Sequence, residues 1–125
     1  MLIDTHILLW LLSDSEELSD KARKELKSGK EIFVSIVSFW EIAIKKSIGK
    51  LKLSYSMSDI EEKCNKYKIS ILPIRPEHLD LLEELPFVHN DPFDRLIIAQ
   101  ALKEGMPIIT KDSIIPRYEG IETIW

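Results

Sequence analysis

The chain has 125 residues, of which 45% are apolar and 30% are charged. This length suits one hydrophobic core, and the composition excludes an intrinsically disordered protein. The formal net charge of −4 at pH 7 argues against a protein that holds nucleic acid mainly through a broad basic surface. One folded domain covering residues 1–125 is the expectation.

The sequence also predicts the compartment. Its longest apolar run, residues 7–12, is far shorter than the roughly 20 residues that cross a bilayer, and Asp4 stands where a signal peptide would be basic. Cys64 is the single cysteine, so neither an internal disulfide nor a cysteine-rich zinc site can form. These features predict a cytoplasmic protein without a membrane anchor.

Short apolar runs alternate with amphipathic segments along the chain. Strands are predicted at residues 1–3, 32–34, 69–72 and 107–110, with a further strand in 121–125. Cap residues and apolar spacing predict six helices. They lie between Asp4 and Ser13, from Ser19 to Gly29, from Ser35 or Ser38 to Gly49, from Ser56 or Ser58 to Tyr67, from Pro76 to Pro86, and from Asp91 to Gly105.

Continuous apolar strands that alternate with helices favour a parallel sheet covered on both faces. The predicted fold is α/β, a three-layer α/β/α sandwich with a parallel sheet of four or five strands. Ligands of such sheets bind beyond the carboxyl ends of the strands. The polar residues near those ends are therefore the first candidates for a functional site.

Five carboxylates occupy positions that such a crevice would bring together: Asp4, Glu41, Asp91, Asp94 and Asp112. Each has a simpler role when taken alone, as a helix cap, a turn residue or a member of an ion pair. Convergence has an energetic cost, because two carboxylates about 4 Å apart repel by roughly 4 kcal/mol at an effective dielectric near 20. Divalent cations relieve that repulsion, and oxygen ligands favour Mg²⁺ or Mn²⁺ over zinc.

Four segments make the chain recognisable: Leu2–His6, Ser38–Ala43, His89–Ala101 and Thr110–Asp112. In this order and spacing they resemble the PIN-domain ribonucleases and, within them, the VapC-type toxins of bacterial and archaeal toxin–antitoxin pairs. The resemblance covers nearly the whole chain. It implies RNA hydrolysis that depends on Mg²⁺ or Mn²⁺, uses metal-activated water and leaves a 5′-phosphate.

Carried over position by position, the resemblance assigns four carboxylates as metal ligands and catalytic residues: Asp4, Glu41, Asp94 and Asp112. Asp91 is an additional candidate, although its place before a proline predicts a helix N-cap. The resemblance further implies an RNA substrate, a small antitoxin protein as partner and a homodimer.

Neighbouring side chains are given supporting roles. Thr5 and Thr110 are candidates to orient carboxylates or water, whereas Ser38 is interpreted first as a helix cap. His6 and His89 are interpreted as structural residues and stay outside the catalytic set.

Three further residues each have two interpretations. Arg95 and Lys111 flank the predicted site and are either contacts for RNA phosphates or ordinary surface charges. Trp40 is interpreted as a core residue rather than an interface anchor.

Other functions remain open at this point. Asp4 after a first strand also suits a phosphoaspartyl enzyme, but the chain lacks the second Asp two residues on that dehalogenase-like phosphatases use. A non-catalytic α/β binding module, or an inactive nuclease-derived domain, would use the same carboxylates as caps. The intact carboxylates argue against loss of activity.

Overall fold

The structure, a computed structural model, describes residues 1–125 and contains one sheet of five short strands. The strands are β1 (Leu2–Ile3), β2 (Ile32–Ser35), β3 (Ile69–Leu72), β4 (Ile108–Ile109) and β5 (Thr123–Ile124). Their order across the sheet is β3-β2-β1-β4-β5, and every neighbouring pair is parallel. The predicted parallel sheet is confirmed, with all five strands.

Six α-helices connect the strands: α1 (Thr5–Leu12), α2 (Asp20–Leu26), α3 (Ile36–Ser47), α4 (Met57–Lys66), α5 (Pro76–Glu84) and α6 (Pro92–Glu104). A single 3₁₀ turn covers Ile115–Arg117. The cap of α3 is Ser35, whose hydroxyl accepts the N–H of Val37 at 3.0 Å, so the capping role given to Ser38 is wrong. No helix has both the length and the apolarity that a membrane crossing requires.

Side chains alternate between the two faces of the sheet, as the pleat of a strand requires. In β1, Ile3 packs into the apolar cluster beneath α1 to α4, whereas Leu2 packs into the cluster beneath α5 and α6. In β4, Ile109 and Ile108 divide in the same way. Helices thus cover both faces, and the three-layer sandwich is confirmed.

The strand order places a crevice beside β1. The chain moves outward from β1 to β2 and β3, then crosses back and places β4 on the other side of β1. Connections that leave two such strands diverge, and ligands bind in the gap between them. Asp4 follows β1 and Asp112 follows β4 by three residues, so the gap has an acidic residue on either side.

Arg95 lies inside the protein rather than beside the crevice, with 6% of its surface exposed. Its guanidinium donates to the carbonyl oxygens of Pro86 at 2.9 Å and Leu85 at 3.2 Å, and lies 4.0 Å from the ring centroid of Phe87. A cation at the end of α5 also stabilises the helix dipole. Arg95 therefore holds the end of α5 against α6 and is not available to RNA phosphates.

Trp40 also departs from its expected place in the core. It is 53% exposed on α3. Its indole packs edge-on against Phe93, with ring centroids 4.9 Å apart and an interplanar angle of 77°. The pair joins α3 to α6 at the surface.

We expect Arg95→Lys to lower the free energy of unfolding by about 1–3 kcal/mol, because an ammonium cannot donate to several carbonyls at once. Urea unfolding measures the change. Arg117→Lys, at an exposed position, is the matched control and should change stability by less than about 0.5 kcal/mol. Equal stability of the two variants would show that the guanidinium does not hold the two helices together.

Candidate metal centre

Asp4 uses its two carboxylate oxygens for different neighbours. Oδ1 accepts the N–H of Ile7 at 2.9 Å and so caps α1, while Oδ2 accepts the hydroxyl hydrogen of Thr110. The residue is only 3% exposed, and burial raises the pKa of Asp4 above its usual value despite these hydrogen bonds. Asp4 is therefore a helix cap, and burial disfavours the ionised form of its carboxylate.

Glu41 lies in the second turn of α3 and is held on both sides. The Thr5 hydroxyl donates to its Oε1 at 2.7 Å, and the Ser38 hydroxyl lies 2.9 Å from that of Thr5. Lys45 Nζ lies 2.5 Å from Oε2, one helical turn along. The hydrogen bond to this carboxylate raises the pKa of Lys45. Thr5 thus orients Glu41, as predicted, and Ser38 supports Thr5.

His89 brings Asp94 and Asp112 together. Its Nε2 lies 2.8 Å from Asp112 Oδ2 and 3.3 Å from Asp94 Oδ2, and one ligand atom of each of the three residues lies within 4.8 Å of the others. His89 Nδ1 accepts the N–H of Asp91 at 3.1 Å, so the proton of the neutral ring is on Nε2. His89 therefore donates to the carboxylates, and the oxygens remain the candidate ligands.

Asp94 is the least neutralised of the four predicted ligands. Burial raises its pKa to about 7, and the negative charges of Asp91, Glu41 and Asp4 add to this effect. The only side chain that pairs with it is His89. A partly buried carboxylate among like charges fits a hard divalent cation, since such a cation removes the repulsion and binds oxygen.

Asp112 has the opposite electrostatic environment. Burial acts to raise its pKa, but hydrogen bonds from His89 and from the N–H of Ile114 together hold the pKa of Asp112 below its usual value. The Ile114 N–H lies 2.7 Å from Oδ1, and Nε2 of His89 contacts Oδ2. Asp112 therefore stays ionised and has a fixed orientation.

The structure brings all four predicted carboxylates to one end of the sheet. Thr110 joins two of them, because its hydroxyl donates to Asp4 and accepts the N–H of Asp112 at 3.0 Å. Asp94 shares His89 with Asp112, and Glu41 is near enough to Asp94 to affect its pKa. Of the four, Asp94 and Asp112 have oxygens that lie within 4.8 Å of each other, close enough to share one cation.

Sequence reasoning left two residues of this site out. The sequence interpretation keeps His89 outside the catalytic set, although its position just before Asp91 and Asp94 indicates that it lies at the same helix start. Lys45 is the other residue, since its position four residues after Glu41 indicates only an ordinary ion pair along a helix. Burial of Glu41, which is 3% exposed, makes Lys45 a fixed positive charge beside the site, and spacing alone does not reveal that burial.

The chain is similar to known proteins along nearly its whole length. The model of the PIN domain family matches residues 1–121. Ribonuclease VapC22 of Mycobacterium tuberculosis is 25% identical to this chain in an alignment 128 residues long, which spans 100% of this chain and 98% of that protein.

Two solved structures have a similar fold. VapBC2 from Rickettsia felis, bound to a DNA fragment from its promoter, aligns with a TM-score of 0.67 and 16% identity, covering 98% of this chain and 97% of that one. A toxin–antitoxin complex from Klebsiella pneumoniae aligns with a TM-score of 0.64 and 18% identity, covering 96% of this chain and 93% of that one.

We expect Asp94→Asn to stabilise the metal-free protein increasingly as the pH rises. The pKa of Asp94 is about 7 in the fold against 3.8 for an unperturbed aspartate carboxyl, so the parent loses stability as the pH rises between these two values and the variant does not. The gain should be smallest at the acidic end of the measured range and should grow by on the order of 1–3 kcal/mol up to pH 7.

Urea unfolding in EDTA from about pH 5 to about pH 8 measures this difference. Asp80→Asn, at an exposed position of α5, is the matched control and should follow the parent at every pH. A gain that does not change with pH would show that Asp94 is not destabilised by ionisation.

Proposed function

The chain belongs to the PIN-domain family, and from this premise we propose that residues 1–125 form one metal-dependent ribonuclease domain. The observation that carries the proposal is the convergence of four buried or half-buried carboxylates with too little positive charge to neutralise them: Asp4, Glu41, Asp94 and Asp112. The similarity to a protein named as a ribonuclease supports RNA as the substrate.

We assign these four carboxylates as the ligands of Mg²⁺ or Mn²⁺. A bound divalent cation lowers the pKa of water and neutralises charge on a phosphate, which is the chemistry that phosphodiester hydrolysis needs. Thr110 and Thr5 hold Asp4 and Glu41 in one orientation each, so their oxygens are placed before a cation arrives.

Lys45 and His89 complete this assignment without acting as ligands. Lys45 offsets the charge of Glu41, which limits the repulsion that the other carboxylates experience. His89 fixes the distance between Asp94 and Asp112 by donating from Nε2. Both residues keep the acidic group folded when no cation is bound.

The phosphoaspartyl alternative is disfavoured by the residues that follow Asp4. Dehalogenase-like phosphatases use a second Asp two residues after the phosphoacceptor, and that position is His6 in this chain. Phosphoryl-donor labelling of the protein tests this alternative directly. A non-catalytic binding module is tested by the cleavage experiments below.

We also infer that the chain is the toxin of a toxin–antitoxin pair, with a small antitoxin protein as partner, and that it forms a homodimer. The likeness to a toxin–antitoxin complex supports the partner. An apolar stripe on α3 offers surface for such contacts. Its members recur every four residues and are 38–58% exposed: Ile36, Trp40, Ile44 and Ile48.

RNA cleavage should require Mg²⁺ or Mn²⁺, stop when EDTA is added and leave 5′-phosphate ends. The reason is that oxygen-only ligands hold these ions and that the ions activate water. Incubation of single-stranded RNA with purified protein, followed by end-group analysis, measures it. Cleavage that continues in EDTA and leaves 2′,3′-cyclic phosphates would contradict the proposal.

Asp91 and Asp94 should have separable roles. Asp91 Oδ1 accepts hydrogen bonds from the N–H groups of Phe93 at 2.8 Å and Asp94 at 3.3 Å. These are the contacts of an N-cap residue, the role predicted for Asp91. We expect Asp91→Ala to lower the free energy of unfolding by about 0.5–2 kcal/mol and to retain measurable cleavage. We expect Asp94→Asn to lose cleavage without losing stability.

Paired measurements of urea unfolding and cleavage rate decide between these roles. The unfolding is best compared near pH 6, where the repulsion of Asp91 by Asp94 is small because the pKa of Asp94 is about 7. A folded, inactive Asp91→Ala variant together with an active Asp94→Asn variant would reverse the assignment.

A further inference from the structure

A cavity of about 400 Å³ opens beside the carboxylates that follow β1 and β4. It is lined by Asp4, His6, Trp10, Lys111, Asp112 and Ser113. The cavity has two chemically different sides. Asp4 and Asp112 form an acidic side, whereas the helix α1 and the segment after β4 supply an aromatic and basic side.

The aromatic side is centred on Trp10. Its ring centroid lies 5.9 Å from that of His6 and 5.8 Å from that of Trp125, at interplanar angles of 46° and 49°. Lys111 Nζ lies 5.9 Å from the centroid of the same indole. Trp10 also packs against the apolar cluster beneath α1, so its ring is held in place while part of it lines the cavity.

Building on the proposed ribonuclease function, we propose that this side of the cavity is a nucleobase subsite. One base of single-stranded RNA stacks on Trp10, Lys111 contacts an adjoining phosphate, and the chain continues to the carboxylates. Stacking on a fixed aromatic ring suits any base, because every base has a π-face. A fixed ring also costs little conformational entropy on binding.

Charge explains why a stacking surface is needed here. With a net charge of −4, the protein lacks the broad basic surface that usually holds RNA, so stacking must supply part of the affinity. Lys111 is available to phosphate because its present partner, Glu17, is 3.2 Å away and both side chains are more than half exposed. Such exposed pairs contribute little and exchange readily.

The same surface suits RNA better than a protein segment because the cavity is continuous with the proposed cation ligands. Asp4 and Asp112 line the same cavity as Trp10 and Lys111, so a phosphate held beside the two carboxylates would leave a neighbouring nucleotide within reach of both. A peptide could pair an arginine or lysine with the two carboxylates, but it would not offer a base with an adjoining phosphate to Trp10 and Lys111. The proposal therefore commits to RNA.

The test measures binding of a fluorescein-labelled single-stranded RNA of roughly ten nucleotides by anisotropy, in an Asp94→Asn background that keeps the RNA intact. A ribose–phosphate oligomer of the same length without bases is the second probe. We expect the Asp94→Asn protein to prefer the base-bearing RNA, and Trp10→Leu to weaken its binding roughly five- to hundredfold. Binding of the abasic oligomer should not change.

Three further variants sharpen the result. Trp10→Tyr should restore most of the preference for bases, because it restores an aromatic face. Lys111→Met should weaken both probes alike. Tyr67→Leu, an exposed aromatic residue at the opposite edge of the sheet, should weaken neither. In cleavage assays of the otherwise unchanged protein, Trp10→Leu should raise KM while kcat changes by less than about threefold.

Two outcomes overturn the proposal. One is equal binding of the two probes by the Asp94→Asn protein, a comparison that needs no substitution at Trp10. The other is an equal loss for both probes in Trp10→Leu, which would give Trp10 a purely structural role and leave the surface to a protein partner. Failure of the unchanged protein to cut any RNA would instead refute the nuclease function, and base-dependent binding would still be measurable.

Discussion

The site depends on one constraint, the close approach of several negatively charged carboxylates inside the protein. Asp4 and Glu41 are almost fully buried and Asp94 is half-buried, yet the only lysine that pairs with any of them is Lys45. Carboxylates brought this close must take up protons, bind cations or be held by donors. Two of these responses are visible in the structure: the raised pKa of Asp94, and the hydroxyl and imidazole donors around the carboxylates.

The structure resolves an apparent conflict between capping and catalysis. Asp4 and Asp112 each give one oxygen to a backbone N–H and the other to a side chain at the site. The first contact fixes the orientation that the second one needs. One oxygen of each carboxylate is fixed by the backbone while the other faces the site, and a cap after a strand is therefore a suitable position for a metal ligand.

The rest of the fold fixes the position of α6 at this end of the sheet. Gln100, fully buried on α6, accepts from the Ser35 hydroxyl at the start of α3 and donates to the Pro73 carbonyl at 3.1 Å. These contacts tie α6 to the ends of β2 and β3, and Arg95 ties it to α5. Asp94, at the start of α6, is placed by this scaffold rather than by its own contacts.

The sequence by itself determined the helices and strands, the parallel sheet and the family. These follow from short-range features, namely apolar strand runs, cap residues and the residues around Asp4, Glu41 and Asp94. Contacts between distant residues decided the rest. Thr110 forms a hydrogen bond with Asp4, 106 residues away in the sequence, and His89 forms one with Asp112, 23 residues away. The same kind of contact buried Arg95 and exposed Trp40, since exposure depends on which helices pack together and not on the residue type.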